Sequence, residues 1–156
     1  MPDGNFQQSI NRSGPFDQLT ACFYYCNIVC AIEFLHGHGL VSRDVKPENF
    51  LVGPDGYLVM TDLGIAEREG EGGTWEETGT AEYMAPELIQ QGYAVGKTVD
   101  WWASGVILYE MLTRKVVCTV HGPNNNTRVH YCRIWSSRLT WYTFFFLSCI
   151  AIPRRH

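Results

Sequence analysis

The chain has 156 residues, 46% of them hydrophobic and 18% charged, with a formal net charge of −4. That length allows one modest domain with its own core, and the composition excludes a disordered chain. The mild acidic balance excludes the global basic field expected of a protein whose main partner is nucleic acid.

The charge is unevenly spread. All 16 acidic residues lie at or before Glu110, whereas Arg114, Lys115, Arg128, Arg133, Arg138, Arg154 and Arg155 follow it with no carboxylate. Such asymmetry marks segments of different character.

Residues 1–16, "MPDGNFQQSINRSGPF", contain no apolar run of the secretory kind and read as a polar, Gly/Pro-containing lead-in. From Asp17 to His36 the pattern is helical, with Phe23, Cys26, Cys30 and Phe34 at spacings of three or four and Cys22, Tyr25 and Val29 near the same stripe. Asp17 suits an N-cap and Gly37 a stop, and the helix is apolar enough to be expected largely buried. Cys22, Cys26 and Cys30 form no C-x-x-C pair. They read as small buried apolar residues in a reducing, intracellular (cytoplasmic) compartment.

Residues 37–49 read as a loop, since Pro47 discourages helix before it. "FLV" (50–52) and "YLVM" (57–60) flank "GPDG", a hairpin signal. Asp62 follows, and then the Gly-, Glu- and Thr-rich stretch 64–80, long and polar enough for a functional loop. "APELIQQ" opens on a proline suited to a helix start, and 98–112 is a strongly apolar helix that Thr98 or Asp100 could cap. After Thr113 the pattern dissolves. The apolar stretch 141–152 falls short of the roughly 20 residues of a spanning helix, which argues against a membrane segment.

Asp44, Asn49 or Asp62 alone could each be an ordinary loop hydrogen-bonding residue. Their order is more telling: R-D-V-K-P-E-N, a hairpin, D-L-G, a polar stretch, then G-T-A-E-Y-M-A-P-E. Each piece suits phosphoryl transfer, which needs an oriented hydroxyl, charge compensation and oxygen ligands for metal. Here the chain resembles eukaryotic protein kinases. "SRDVKPEN" is similar to the catalytic loop H-R-D-L-x-x-x-N, "DLG" to D-F-G, and "APE" to the end of the activation segment. Lys46 resembles the serine/threonine class, and "GTAEYMAPE" with "VDWW" resembles the AGC branch.

The resemblance implies a mainly α fold with a small β-hairpin, the large-lobe (C-lobe) part of a two-lobed α+β parent. It implies a lead-in over 1–16, a partial kinase domain over 17–112 and a basic, aromatic tail outside the family over 113–156. It implies ATP and Mg²⁺ as cofactors and a protein Ser/Thr hydroxyl as substrate. Asp44 would orient the hydroxyl and take its proton, and Lys46 would neutralise charge beside the phosphoryl group. Asn49 and Asp62 would hold Mg²⁺. Thr80 would hydrogen-bond near Asp44 and Lys46. Lys46, Glu48, Asn49, Leu51 and Asp62 would line the nucleotide site, and Gly64 would supply backbone freedom after the metal ligand. Glu87 would be structural, and Asp100 would tie down the catalytic loop. Leu51, Ile107 and Met111 would form an apolar column beneath the adenine, with plain core packing an equal description of all three.

Counting back from Gly79 places Glu76 where this branch carries a phosphorylated threonine, which would pair it with Arg43. The other reading of Glu76 is a solvated acidic patch. Ser42 stands where the family has a ring, and Leu63 replaces the Phe of D-F-G. No G-x-G-x-x-G precedes residue 17, so the small-lobe features are expected to be lacking and the isolated chain inert. Two readings stand side by side: a serine/threonine kinase fragment, or a non-catalytic kinase module acting by binding substrates or kinase partners. A tail-anchored membrane protein is a third, carried only by 141–152 with Arg154 and Arg155.

Overall fold

The sequence's polar lead-in contains a helix. In the computed structural model, which describes residues 4–70, 79–89, 96–115, 118–121 and 128–131, α1 spans Phe6–Ser13. The Asn5 side chain caps it by accepting from the Gln8 amide at 3.0 Å. Phe6 and Ile10, one turn apart, are 0% and 1% exposed. Two apolar residues at this spacing suffice to anchor a short helix by one face, and the polar residues between them hid that signal. The Phe6 ring packs 4.8 Å from Tyr24 and 6.1 Å from Phe16.

α2 covers Gln18–Gly37. Asp17 caps it as expected, with Oδ1 accepting from the Leu19 and Thr20 amides. Those bonds, the Thr20 amide first, hold the Asp17 carboxyl below its ordinary value. Gly37 is the last helical residue and His38 follows as C-cap. The buried stripe is Ala21, Ile28, Ile32, Leu35 and His36. The expected stripe is the outer one: Phe23 is 41% and Phe34 67% exposed. Cys22 is half-buried, while Cys26 and Cys30 are exposed, so the cysteines are not the small core residues expected. The helix is apolar on all sides, so hydropathy alone does not select a face; packing against the helix Thr98–Thr113 does. By length and composition α2 could cross a membrane, but it serves here as a core helix.

α4, Thr98–Thr113, buries Val99, Ala103, Val106, Ile107, Leu108 and Met111. Neither Thr98 nor Asp100 caps it with a side chain; Lys97 holds the N-cap position. Asp100 turns to the loop described below. α1, α2 and α4 close one apolar cluster around Phe6, Ile28, Ile32, Val45, Phe50 and Met111. The Phe16 amide donates to Met111 O at 2.8 Å, which fixes the α1–α2 connection to the end of α4.

β1 (Leu40–Val41), β2 (Phe50–Val52), β3 (Leu58–Met60) and β4 (Glu67–Arg68) form two small antiparallel pairs. The expected hairpin is β2–β3, with Leu51 opposite Val59. β1 pairs with β4, Val41 opposite Glu67, inside a stretch expected to be loop. Two-residue strands leave no periodic signal. α3 is the short helix Pro86–Ile89. Beyond Thr113, where the pattern dissolves in sequence, Cys118–His121 (β5) pairs with Arg128–Tyr131 (β6); stretch 141–152 lies outside the described residues.

Phe6→Ala should cost about 3–5 kcal/mol, as expected for emptying a fully buried aromatic site. Urea denaturation of the 156-residue chain checks this. A loss well under about 1 kcal/mol would show that α1 does not belong to the core.

Candidate active site

The site starts from Asp100, which α4 places under the loop after β1. The residue is 1% exposed. Its Oδ2 accepts from the Ser42 amide at 2.9 Å, and Oδ1 from the Arg43 amide at 2.8 Å. His36 Nε2 lies 2.8 Å from Oδ2. A buried carboxylate is tolerable only when its lone pairs are met, and these three groups meet them. The two amides bend the chain sharply, so that Arg43 sits at φ 63. That conformation is strained for a bulky residue and persists only where the surroundings enforce it. The Arg43 guanidinium donates twice to Ile65 O, at 2.6 and 3.0 Å, and pairs with Glu67 Oε1 at 2.8 Å.

Beyond Arg43 the chain presents Asp44 and Lys46, and the 3-10 turn Pro47–Asn49 folds Asn49 back. Lys46 Nζ lies 2.7 Å from Asp44 Oδ2 and donates to Thr80 Oγ1 at 2.9 Å. Thr80 Oγ1 donates to Asp44 Oδ1 at 3.3 Å. Asn49 Nδ2 donates to both Asp44 O and Asp44 Oδ2, at 2.8 and 3.0 Å. Four residues picked from the sequence, Asp44, Lys46, Asn49 and Thr80, therefore form one hydrogen-bonded set.

Thr80 reaches it because Gly79 lets the chain come close. Gly79 has φ 126, and a Cβ there would lie 3.3 Å from Arg43 O and 3.2 Å from Met84 Cε. A side chain at this position would be strained in backbone and crowded in space. Below, a small cavity opens between Asp44, Thr80, Tyr83 and Met84.

Asp62 is tied to Asn49 through its neighbour: Thr61 donates from both N and Oγ1 to Asn49 O, at 2.7 and 3.2 Å. The positive φ of this turn falls on Asp62 itself, φ 57, and not on Gly64, the residue expected to supply backbone freedom. Gly64 contributes closeness: its amide donates to Asp62 Oδ1 at 3.2 Å, and a Cβ would lie 3.1 Å from that oxygen. Asn49 spends its amide nitrogen on Asp44, leaving the amide oxygen as the acceptor to offer. With the exposed carboxylate of Asp62 this is a donor pair suited to a hard cation that completes its shell with phosphate and water. Among the described residues no group of three or more His, Cys, Asp or Glu forms a ready-made cage.

Leu51 lies on the outer face of the hairpin, 37% exposed, with Val59 opposite at 56% and Leu63 beyond at 44%. Ile107 and Met111 are 0% exposed in the main core. Glu48 is exposed on the turn beside Asn49. Glu87 has no cationic partner among the described residues, and Glu76 lies outside them.

Three residues at the site went unread in the sequence. Glu67 is the carboxylate at Arg43. Tyr83 and Glu110 form a buried pair, with Tyr83 Oη donating to Glu110 Oε2 at 2.7 Å and Gln7 Nε2 donating to Oε1 at 2.8 Å. Burial first, then the Glu110 hydrogen bond and the charges of Glu110, Glu48 and Glu82, push the Tyr83 hydroxyl far above its ordinary range. A lone glutamate within "VILYEML" was the available signal, because an apolar helix keeps a carboxylate only for a reason.

Ser42 is 1% exposed and its hydroxyl has no hydrogen-bond partner among the described residues. Leaving a polar group buried and unpaired costs about 1–3 kcal/mol. Ser42→Ala keeps the backbone bond to Asp100 and removes that penalty, so the midpoint of thermal unfolding should rise. A fall in midpoint would show that the hydroxyl is satisfied.

The protein kinase domain family matches residues 1–144. The human cAMP-dependent protein kinase catalytic subunit PRKX is 44% identical over 114 residues, 72% of this chain and 31% of that protein. The cAMP-dependent protein kinase catalytic subunit 3 of Drosophila melanogaster is 48% identical over 104 residues, 66% of this chain and 17% of that one. The cAMP-dependent protein kinase catalytic subunit of Dictyostelium discoideum is likewise 48% identical over 104 residues, covering 16% of its length. The chain thus spans less than a third of the length of each of these relatives, and it belongs to the protein kinase domain family.

Proposed function

We propose that this chain carries the large-lobe catalytic centre of a serine/threonine protein kinase of the AGC type, acting inside the cell. The observation that carries the reading is the set Asp44–Lys46–Asn49–Thr80, held on a loop clamped by Asp100. Asp44 accepts the proton of a protein Ser or Thr hydroxyl. Thr80 and Asn49 fix the orientation of its carboxylate, so little reorganisation is needed when that hydroxyl arrives. Lys46 sits between Asp44 and Thr80 and offers its charge to the transferring group. Asn49 and Asp62 would hold magnesium, with Leu51 against the adenine and Glu48 nearby on the same turn. When bound, MgATP supplies the phosphoryl group and the metal charge that offsets its oxygens. Cys26 and Cys30, exposed on α2 and in no disulfide among the described residues, suit a reducing interior.

The same geometry favours a cationic residue near the acceptor hydroxyl. Among the described residues Glu110, 5% exposed, receives neutral donors from Tyr83 and Gln7 and no cation, and Glu48 and Glu82 add their charges around Tyr83. A buried carboxylate with no cation of its own, near two others, is a place for one.

Two measurements test the reading. The 156-residue chain should bind MgATP no better than about millimolar, since Leu51, Val59 and Leu63 offer the base a single open wall; an open surface buries too little of a ligand to hold it tightly. Fused to the small lobe of the human relative, it should phosphorylate Ser/Thr peptides. Asp44→Asn should then lower kcat by about 10²–10⁴-fold. A folded fusion without transfer, or an undiminished Asn variant, overturns the assignment. In the same fusion, Glu48→Gln should raise KM for an arginine-containing peptide several-fold with kcat nearly kept. Equal KM values for peptides with and without arginine would remove the cationic-substrate part.

A further inference from the structure

The catalytic-loop arginine has a counter-charge from within the described residues. Arg43 is 14% exposed at its side chain and carries its positive charge next to Asp44. A guanidinium in that position must be neutralised and its donors met, or it destabilises the strained turn that holds it. Ile65 O takes two donors, and Glu67 Oε1 takes a third at 2.8 Å while supplying the charge. Glu67 is on β4, whose partner β1 leads directly into Ser42 and Arg43. The bond therefore joins the two ends of one structural unit, the strand before the catalytic loop and the strand after the Asp62 turn.

A second carboxylate on the same segment works in parallel. Glu69 pairs with Lys97 at 2.6 Å, just ahead of α4, and its amide donates to Gly39 O at 2.8 Å. Glu67 and Glu69 thus clasp the segment after Asp62 to the two elements that position Asp44: the catalytic loop and the helix carrying Asp100.

We propose that Glu67 is a positioning residue that acts as the resident counter-ion of Arg43, so that the catalytic loop is set without a phosphate delivered to that arginine. The role in catalysis rests on the phosphotransfer reading above; the occupation of Arg43 by Glu67 does not, and the test addresses the occupation directly. An arginine whose Nε and Nη2 are engaged and whose charge is offset by a carboxylate is a poor anion site. An arginine whose partner is neutralised becomes a bidentate anion site.

The experiment is a titration of inorganic phosphate into the full chain at constant ionic strength, observing the Arg43 Nε–H signal by NMR in the wild type, Glu67→Gln and Glu69→Gln. The wild-type signal should stay fixed into the tens-of-millimolar range of phosphate, well above physiological ionic demand on an exposed charge. In Glu67→Gln it should move saturably with phosphate, and amide exchange at residues 40–43 and 66–68 should quicken about two- to fivefold, as expected for losing one partly exposed ion pair. Glu69→Gln should quicken exchange near Lys97 and leave Arg43 indifferent to phosphate. Glu67→Asp, which keeps the charge, should restore the wild-type behaviour. A wild-type Arg43 signal that moves with phosphate overturns the proposal, and this arm stands even where Glu67→Gln fails to fold. A folded Glu67→Gln chain whose Arg43 ignores phosphate overturns it as well. Neither result bears on whether the completed kinase transfers phosphate, which the fusion assay reads separately.

Discussion

One buried carboxylate sets the rest of the structure. Asp100 is almost wholly removed from water, and an unmet charge there would cost several kcal/mol. Its acceptor sites are met by the amides of Ser42 and Arg43 and by His36. The requirement is mutual. The catalytic loop needs Asp100 to hold a left-handed Arg43, and Asp100 needs the loop to remain buried. Because His36 comes from the end of α2 and Asp100 from the start of α4, the carboxylate also fixes the relation of the two helices that make the core.

From that point the active geometry follows by short steps. The bend at Arg43 turns its side chain toward Ile65 and Glu67, which draws the segment after Asp62 against the loop. The same bend points Asp44 toward Thr80, which arrives because Gly79 allows the approach. Asp62 sits in a second left-handed turn, its strand held to Asn49 by Thr61. Strained backbone at two residues of one site, each backed by hydrogen bonds on both sides, is what a preorganised centre requires. The strain is stored where it positions an arginine and a carboxylate, and the apolar core beneath supplies the stability that sustains it.

What was legible in the sequence depended on whether chemistry or packing wrote it. Asp44, Lys46, Asn49 and Thr80 could be picked out because they stand in the ordered motifs that resemble the protein kinase family, and the structure brings the four together. The β2–β3 hairpin was legible from its Gly/Pro turn, and the α2 start from Asp17. The face of α2 was not, because a helix apolar on every side carries no moment to read. Nor was α1, whose two core residues stand among polar ones, or the β1–β4 pair, too short for a period. Glu67 was hidden for a further reason. Its role depends on a strand register that brings position 67 opposite position 41, and no local pattern records such a pairing.

Charge at the site is partitioned by burial. Each cation that faces the catalytic segment has a carboxylate of its own: Arg43 with Glu67, Lys46 with Asp44, Lys97 with Glu69. Glu110, Glu48 and Glu82 act on the Tyr83 hydroxyl with no cation paired to them among the described residues, and the exposed Asp62 is likewise without one. Arg43, Lys46 and Lys97 do not relieve that charge, because each is already engaged at 2.6–2.8 Å. The result is one local excess of negative charge around Tyr83 and a separate one at the exposed Asp62. Like charges brought together where solvent is partly excluded cost more than in water, so a further anion is disfavoured at either place unless a cation accompanies it. In the proposed function Asn49 and Asp62 would hold the metal that accompanies a nucleotide, and Lys46, set between Asp44 and Thr80, would be the charge nearest the transferring group.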